Sequence, residues 1–104
     1  MNQQALLRKV KKMQEEMLAA QQEIERTSFF ASAGGVVSVE AKGTKEIVKV
    51  TIEEDFKVES PEDLEMLGDM VVAACNQAYK EIEKITKEKM GKYNEMLGGF
   101  GGLF

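Results

Sequence analysis

Few side chains in this sequence could carry covalent or metal chemistry. It contains no histidine and a single cysteine, Cys75, so the commonest general base and the commonest metal ligand are missing. A lone thiol supplies neither a zinc pair nor an internal disulfide, and there is no GxxxxGK[ST] phosphate loop. Glu53, Glu54 and Asp55 are neighbouring carboxylates. On an extended segment they point in alternating directions and do not converge on one ion. The catalytic vocabulary of an enzyme is therefore largely absent.

What remains is charge, and its distribution says more than its sum. The net charge of −4 would by itself argue against an anionic partner. Residues 1–14, however, hold Arg8, Lys9, Lys11 and Lys12 and no acid. Residues 53–70 hold eight acids against Lys57, and residues 80–92 hold five lysines against three glutamates. The two ends are basic and the middle is acidic. Taken alone, each lysine run could be no more than a solvated helix face.

The elements that must position these charges are legible from periodicity. Val37, Val39 and Ala41 alternate with Val36, Ser38, Glu40 and Lys42, and Val48, Val50 and Ile52 alternate with Ile47, Lys49, Thr51 and Glu53. A period of two predicts strands with one dry face and one wetter face. Gly34-Gly35 suits a tight hairpin, and Gly43 falls in a second turn. Connections this short exclude a parallel crossover, so residues 27–53 are expected to form a three-stranded antiparallel meander. Three strands leave a wide apolar face, which makes self-association a live option.

Before the sheet, Leu6, Val10, Met13, Met17, Ala20 and Ile24 are spaced 4, 3, 4, 3 and 4 apart. Such a stripe asks for a partner helix, supplied either by the same chain or by a second copy. Arg8, Lys11 and Lys12 fall on the opposite face, with Lys9 on its flank. After the sheet, Ser60-Pro61-Glu62-Asp63 is a strong helix start. Leu64, Leu67, Val71, Ala74, Ala78, Ile82 and Ile85 then give an apolar face wide enough to cover a sheet. Asn76, Lys80, Lys84 and Lys87 lie on the far side. This helix is expected to run from 61 to about 90, with Gly91 ending or bending it and Lys92 to Leu97 adding a turn or two. The whole makes an α+β chain with one domain over residues 1–97 and a mobile Gly/Phe tail over 98–104. No apolar run approaches the roughly 20 residues that span a bilayer, and the N-terminus lacks a signal-peptide pattern, so a cytosolic location is expected.

Several segments, in this order and spacing, carry a resemblance that covers essentially the whole chain. They are Lys12-Met-Gln-Glu-Glu-Met17, Ala33-Gly-Gly-Val-Val-Ser-Val39, Ala73-Ala-Cys-Asn-Gln-Ala78, Lys87-Glu-Lys-Met-Gly-Lys92 and the Gly/Phe tail. Together they resemble the YbaB/EbfC family of bacterial nucleoid-associated proteins. The resemblance implies a homodimer whose terminal helices project like the arms of tweezers and bind double-stranded DNA. It implies no catalysis, no cofactor, no small-molecule substrate and no membrane. Thr27-Ser-Phe-Phe30 is more apolar than the family pattern, and the tail lacks a proline; both departures touch packing and the tail rather than binding.

The choice of binding residues rests on local charge: Arg8, Lys9, Lys11 and Lys12 on the first helix, and Lys80, Lys84, Lys87 and Lys92 on the second. These would act by neutralising phosphates, with modest sequence preference, in nucleoid organisation or gene regulation. A reading from another class is a protein-interaction module, a helical scaffold or chaperone-like holdase, with methionines 13 and 17 in an adaptable apolar stripe.

Overall fold

The computed structural model describes residues 2–99 and has the expected order of elements. These are α1 (Gln3–Arg26), β1 (Ser28–Ala33), β2 (Val37–Lys42), β3 (Ile47–Ile52) and α2 (Pro61–Gly99). The strands form one antiparallel sheet in the order β1-β2-β3. Phe29, Ala31 and Ala33 stand opposite Ala41, Val39 and Val37, and Val37 and Val39 stand opposite Ile52 and Val50. One sheet face is therefore apolar across all three strands.

Both hairpins follow from local backbone needs. Gly34 and Gly35 take φ of +61° and +67°, the two positive values of a tight turn. In the β2–β3 turn the left-handed position belongs to Lys45, at φ 75°, an arrangement that costs a non-glycine residue about 1 kcal/mol. Gly43 is required there for a different reason. A Cβ on it would collide with the carbonyl oxygen of Ile24, because the turn is wedged against the end of α1, with the Gly43 N–H donating to the Thr27 carbonyl at 3.1 Å. A bulge at Glu40/Ala41 pairs Ala41 with Ile47 and turns Ile47 inward to half-burial, although strict alternation assigned it to the wetter face.

The helix ends are capped as their sequences suggest. The Asn2 side chain accepts from the Ala5 N–H at 2.7 Å. At α2, Ser60 Oγ accepts from the Asp63 N–H at 3.2 Å and the Asp63 carboxylate accepts from the Glu59 N–H at 3.0 Å, a reciprocal arrangement worth about 1 kcal/mol. Contrary to one expectation, α2 does not end at Gly91. It continues to Gly99 as one helix of 39 residues, about 58 Å long. The rest of the predicted tail, residues 100–104, lies outside the described residues.

The first half of α2 covers β1 and β2. Ala74 and Ala78, both fully buried, let the helix sit close over Val37, Val39, Ala41 and Phe29, and Ile82 closes the core toward α1. Gly34 lies under Met70. The second half of α2 leaves the sheet and pairs with α1, whose stripe it covers: Val10, Met13 and Ile24 are buried, as is Tyr93. The partner of the 3.5-residue stripe is thus a helix of the same chain. The pairing is antiparallel, with Gln21 and Ile24 beside Ile82–Lys87 and Ala20 and Glu23 beside Glu88–Tyr93. The result is a small sheet body with a two-helix arm, measuring 72 × 21 × 16 Å.

Among the described residues, the inner face of β3 is left largely uncovered. Val48, Val50 and Ile52 are 50%, 41% and 44% exposed, so the periodicity identified their face correctly but not its covering. Leu64 and Val72, on the uncovered part of α2, are also open. Among the described residues, no helix is long and apolar enough to cross a membrane.

Candidate nucleic-acid interface

All eight predicted cations are exposed, and all lie on the arm. None of them makes an ion pair among the described residues. Their grouping follows from which faces the packing has already used. On α1, Val10 and Met13 point into α2, so Arg8, Lys11 and Lys12 lie on the outer side of the arm and Lys9 on its flank. On α2, Ala74, Ala78 and Ile82 point into the body, which leaves Lys80, Lys84 and Lys87 along the helix back. From Lys80 to Lys87 the back spans about 10 Å, a length over which one duplex strand presents about three phosphates.

The two clusters are not brought together. The outer sides of two packed helices face away from each other, so a flat partner cannot touch both clusters of one chain at once. Lys92 is also separated from Lys80, Lys84 and Lys87. It lines a groove beside Ala20 and Glu23, with its ammonium 4.9 Å from the Tyr93 ring centroid. The arm thus presents an α1 face, an α2 face and a lysine at the seam between them.

Two further lysines are not among the eight predicted cations. Lys89 lies 3.9 Å from Glu23 across the seam. Lys45 reaches from the β2–β3 turn to Glu83 on α2 at 2.8 Å, with its ammonium 5.9 Å from the Tyr79 ring centroid. The hydrogen bond from Lys45, and then its charge, hold the Glu83 carboxyl below its ordinary value. Lys45, Glu83 and Lys87 line one open groove of about 580 Å³ together with Thr44 and Thr86. The only signal available for Lys45 was a turn next to α2, and turns do not announce which helix they touch.

The densest run of acids lies at the other end, although Glu15, Glu16, Glu23 and Glu25 on α1 and Glu81, Glu83, Glu88 and Glu95 on α2 stand among the cations. Glu53, Glu54, Asp55, Glu59 and Glu62 are exposed where β3 leads into α2, close to the positive end of the α2 dipole. The basic part of α2 begins about 27 Å further along its axis, at Lys80. Among the described residues no polar or charged side chain is buried, and no group of three or more histidine, cysteine, aspartate or glutamate side chains could hold a metal ion. Cys75 is a free, half-buried thiol packed against the sheet core.

A long arm with exposed cations on its outer faces, carried on a body with an acidic end, has the form of a protein that meets an extended anionic partner along its surface. The chain belongs to the YbaB/EbfC DNA-binding family, whose sequence pattern matches residues 1–97. It is 46% identical to a nucleoid-associated protein of Clostridium novyi, over all of this chain and 90% of that one. It is 40% identical to a nucleoid-associated protein of Streptomyces griseus, over 98% and 89% of the two chains. The fold is shared with the crystal structure of an uncharacterized protein from Helicobacter pylori, with a TM-score of 0.67 and 25% identity over 92% of this chain and 98% of that one.

Proposed function

We propose that this chain is a non-catalytic nucleoid protein of the bacterial cytoplasm that binds double-stranded DNA as a homodimer. Arg8, Lys9, Lys11 and Lys12 on α1 and Lys80, Lys84, Lys87 and Lys92 on α2 contact phosphates, with modest sequence preference, in nucleoid organisation or gene regulation. The observation that carries this reading is the arm itself. Its outer faces hold exposed cations that make no ion pair among the described residues, at the end of the molecule away from the acidic segment. Residues 1–97 act as one unit for binding and dimerisation.

The dimer is supported by an apolar shelf of exposed Val48, Val50 and Ile52 on β3, together with exposed Leu64 and Val72 on α2. A second copy covering that shelf would remove five half-exposed aliphatic side chains from water, each worth about 1 kcal/mol or more. It would also bring two arms to one duplex, so that the outward-facing clusters of different chains can flank it.

The test is fluorescence anisotropy of a labelled duplex of about 30 base pairs, titrated with protein at several salt concentrations. Affinity is expected to fall steeply with salt, at about −0.9 per phosphate contact in log–log form. A slope corresponding to more than four contacts needs more than one cluster. Absence of binding at low salt would leave the lysines as solvated faces and favour an apolar interaction module.

A further inference from the structure

We propose that Lys45, on the turn between β2 and β3, is a further DNA-contacting residue that extends the basic back of α2. The inference rests on the DNA-binding reading above and adds a residue from the sheet body to the arm.

Lys45 occupies a backbone position that suits glycine or asparagine, at φ 75°. The chain gains little internally from a lysine there. The ion pair with Glu83 is open to water, with side chains 48% and 62% exposed, and such pairs contribute little to stability. The Tyr79 ring, at 5.9 Å, lies at the outer limit of a useful cation–π contact. Strain kept without a structural return points to a use outside the fold.

The placement supplies that use. Glu83 interrupts the Lys80, Lys84, Lys87 run, and the Lys45 ammonium neutralises it from 2.8 Å. Lys45 and Lys87 line the same open groove, whose other polar groups are the hydroxyls of Thr44 and Thr86, the Gln21 amide and the carboxylates of Glu83 and, on the α1 side, Glu25. A phosphate approaching Lys87 from this side meets a second ammonium in place of an unpaired carboxylate.

Lys45→Gly separates the two roles, because glycine relieves the backbone and removes the charge. The expected result is an unchanged or higher melting temperature, several-fold weaker binding to the labelled duplex, and a salt dependence shallower by about 0.9 for each copy bound. Lys45→Arg should restore the slope. If Lys45→Gly binds with the wild-type slope while reversal of Lys80, Lys84 and Lys87 abolishes binding, Lys45 is only a clasp and the inference is overturned alone. Weaker binding at an unchanged slope, with a lowered melting temperature, overturns it equally. If the wild-type protein does not bind the duplex, the DNA-binding reading fails and this inference fails with it.

Discussion

Val39 and Val50 stand opposite each other across the β2–β3 ladder, yet Val39 is 2% exposed and Val50 41%. They share one sheet face and differ only in what lies above them, because α2 crosses β1 and β2 and stops short of β3. Val50→Asp should therefore leave the monomer folded and disrupt the proposed self-association. Val39→Asp would bury an unpaired charge and unfold the chain. Sedimentation equilibrium and circular dichroism of the two variants check this. A Val50→Asp protein that stays dimeric would place the interface elsewhere.

Reversing the helix back by Lys80→Glu, Lys84→Glu and Lys87→Glu together should abolish duplex binding in the anisotropy titration. All three side chains are exposed and outside the core, so the sedimentation behaviour and the thermal melt should stay close to those of the parent protein. Unchanged affinity would remove this face from the interface.

Gly43→Ala should destabilise the chain by about 1–3 kcal/mol, since the new methyl meets the backbone oxygen of Ile24 rather than a yielding side chain. Gly91→Ala should do the opposite. It sits inside a continuous helix with nothing within 4 Å of the added carbon, and the gain is about 0.5–1 kcal/mol. Urea unfolding of the two variants, compared at equal m-value, measures both signs.

Glu83 supplies a pH-dependent prediction. Its carboxyl is held below the ordinary value by the hydrogen bond and charge of Lys45. A depressed folded-state value means that the pair contributes its stability fully above the ordinary glutamate range of about 4.3 and loses it as pH falls through the lower folded value. Thermal melts of the parent and Glu83→Gln should therefore differ slightly at neutral pH and converge in acid, and also in high salt. A gap that widens in acid would contradict the clasp.

Much of this architecture is legible in the residues, and the parts that are not share one cause. Alternation places Val37, Val39 and Ala41 on a buried face, and Ser60-Pro61 starts α2, because both signals are local. The stripe from Leu6 to Ile24 specifies a helix partner but carries no mark of whose helix it is; the partner proved to be α2 of the same chain. The apolar positions of β3 are equally readable, yet their covering depends on how far α2 extends sideways. Gly91 suggested a stop because glycine is a poor helix former, but Tyr93 packing against α1 holds the helix beyond it. Charge was read residue by residue. That found the eight arm cations but grouped Lys92 with Lys80, Lys84 and Lys87, from which helical rotation separates it. Lys45 is near Glu83 only in three dimensions.

Because α2 runs unbroken from the sheet to the arm's end, it works as a lever with its fulcrum at the body. A change of about 10° in how two bodies meet would swing a helix of about 58 Å by roughly 10 Å at its far end. In the proposed dimer the gap between two arms would then be set by exposed shelf residues such as Val50 and Val72, which lie outside the proposed DNA-binding clusters. Conservative changes in that shelf should therefore alter which DNA geometry fits between the arms, with every lysine left in place.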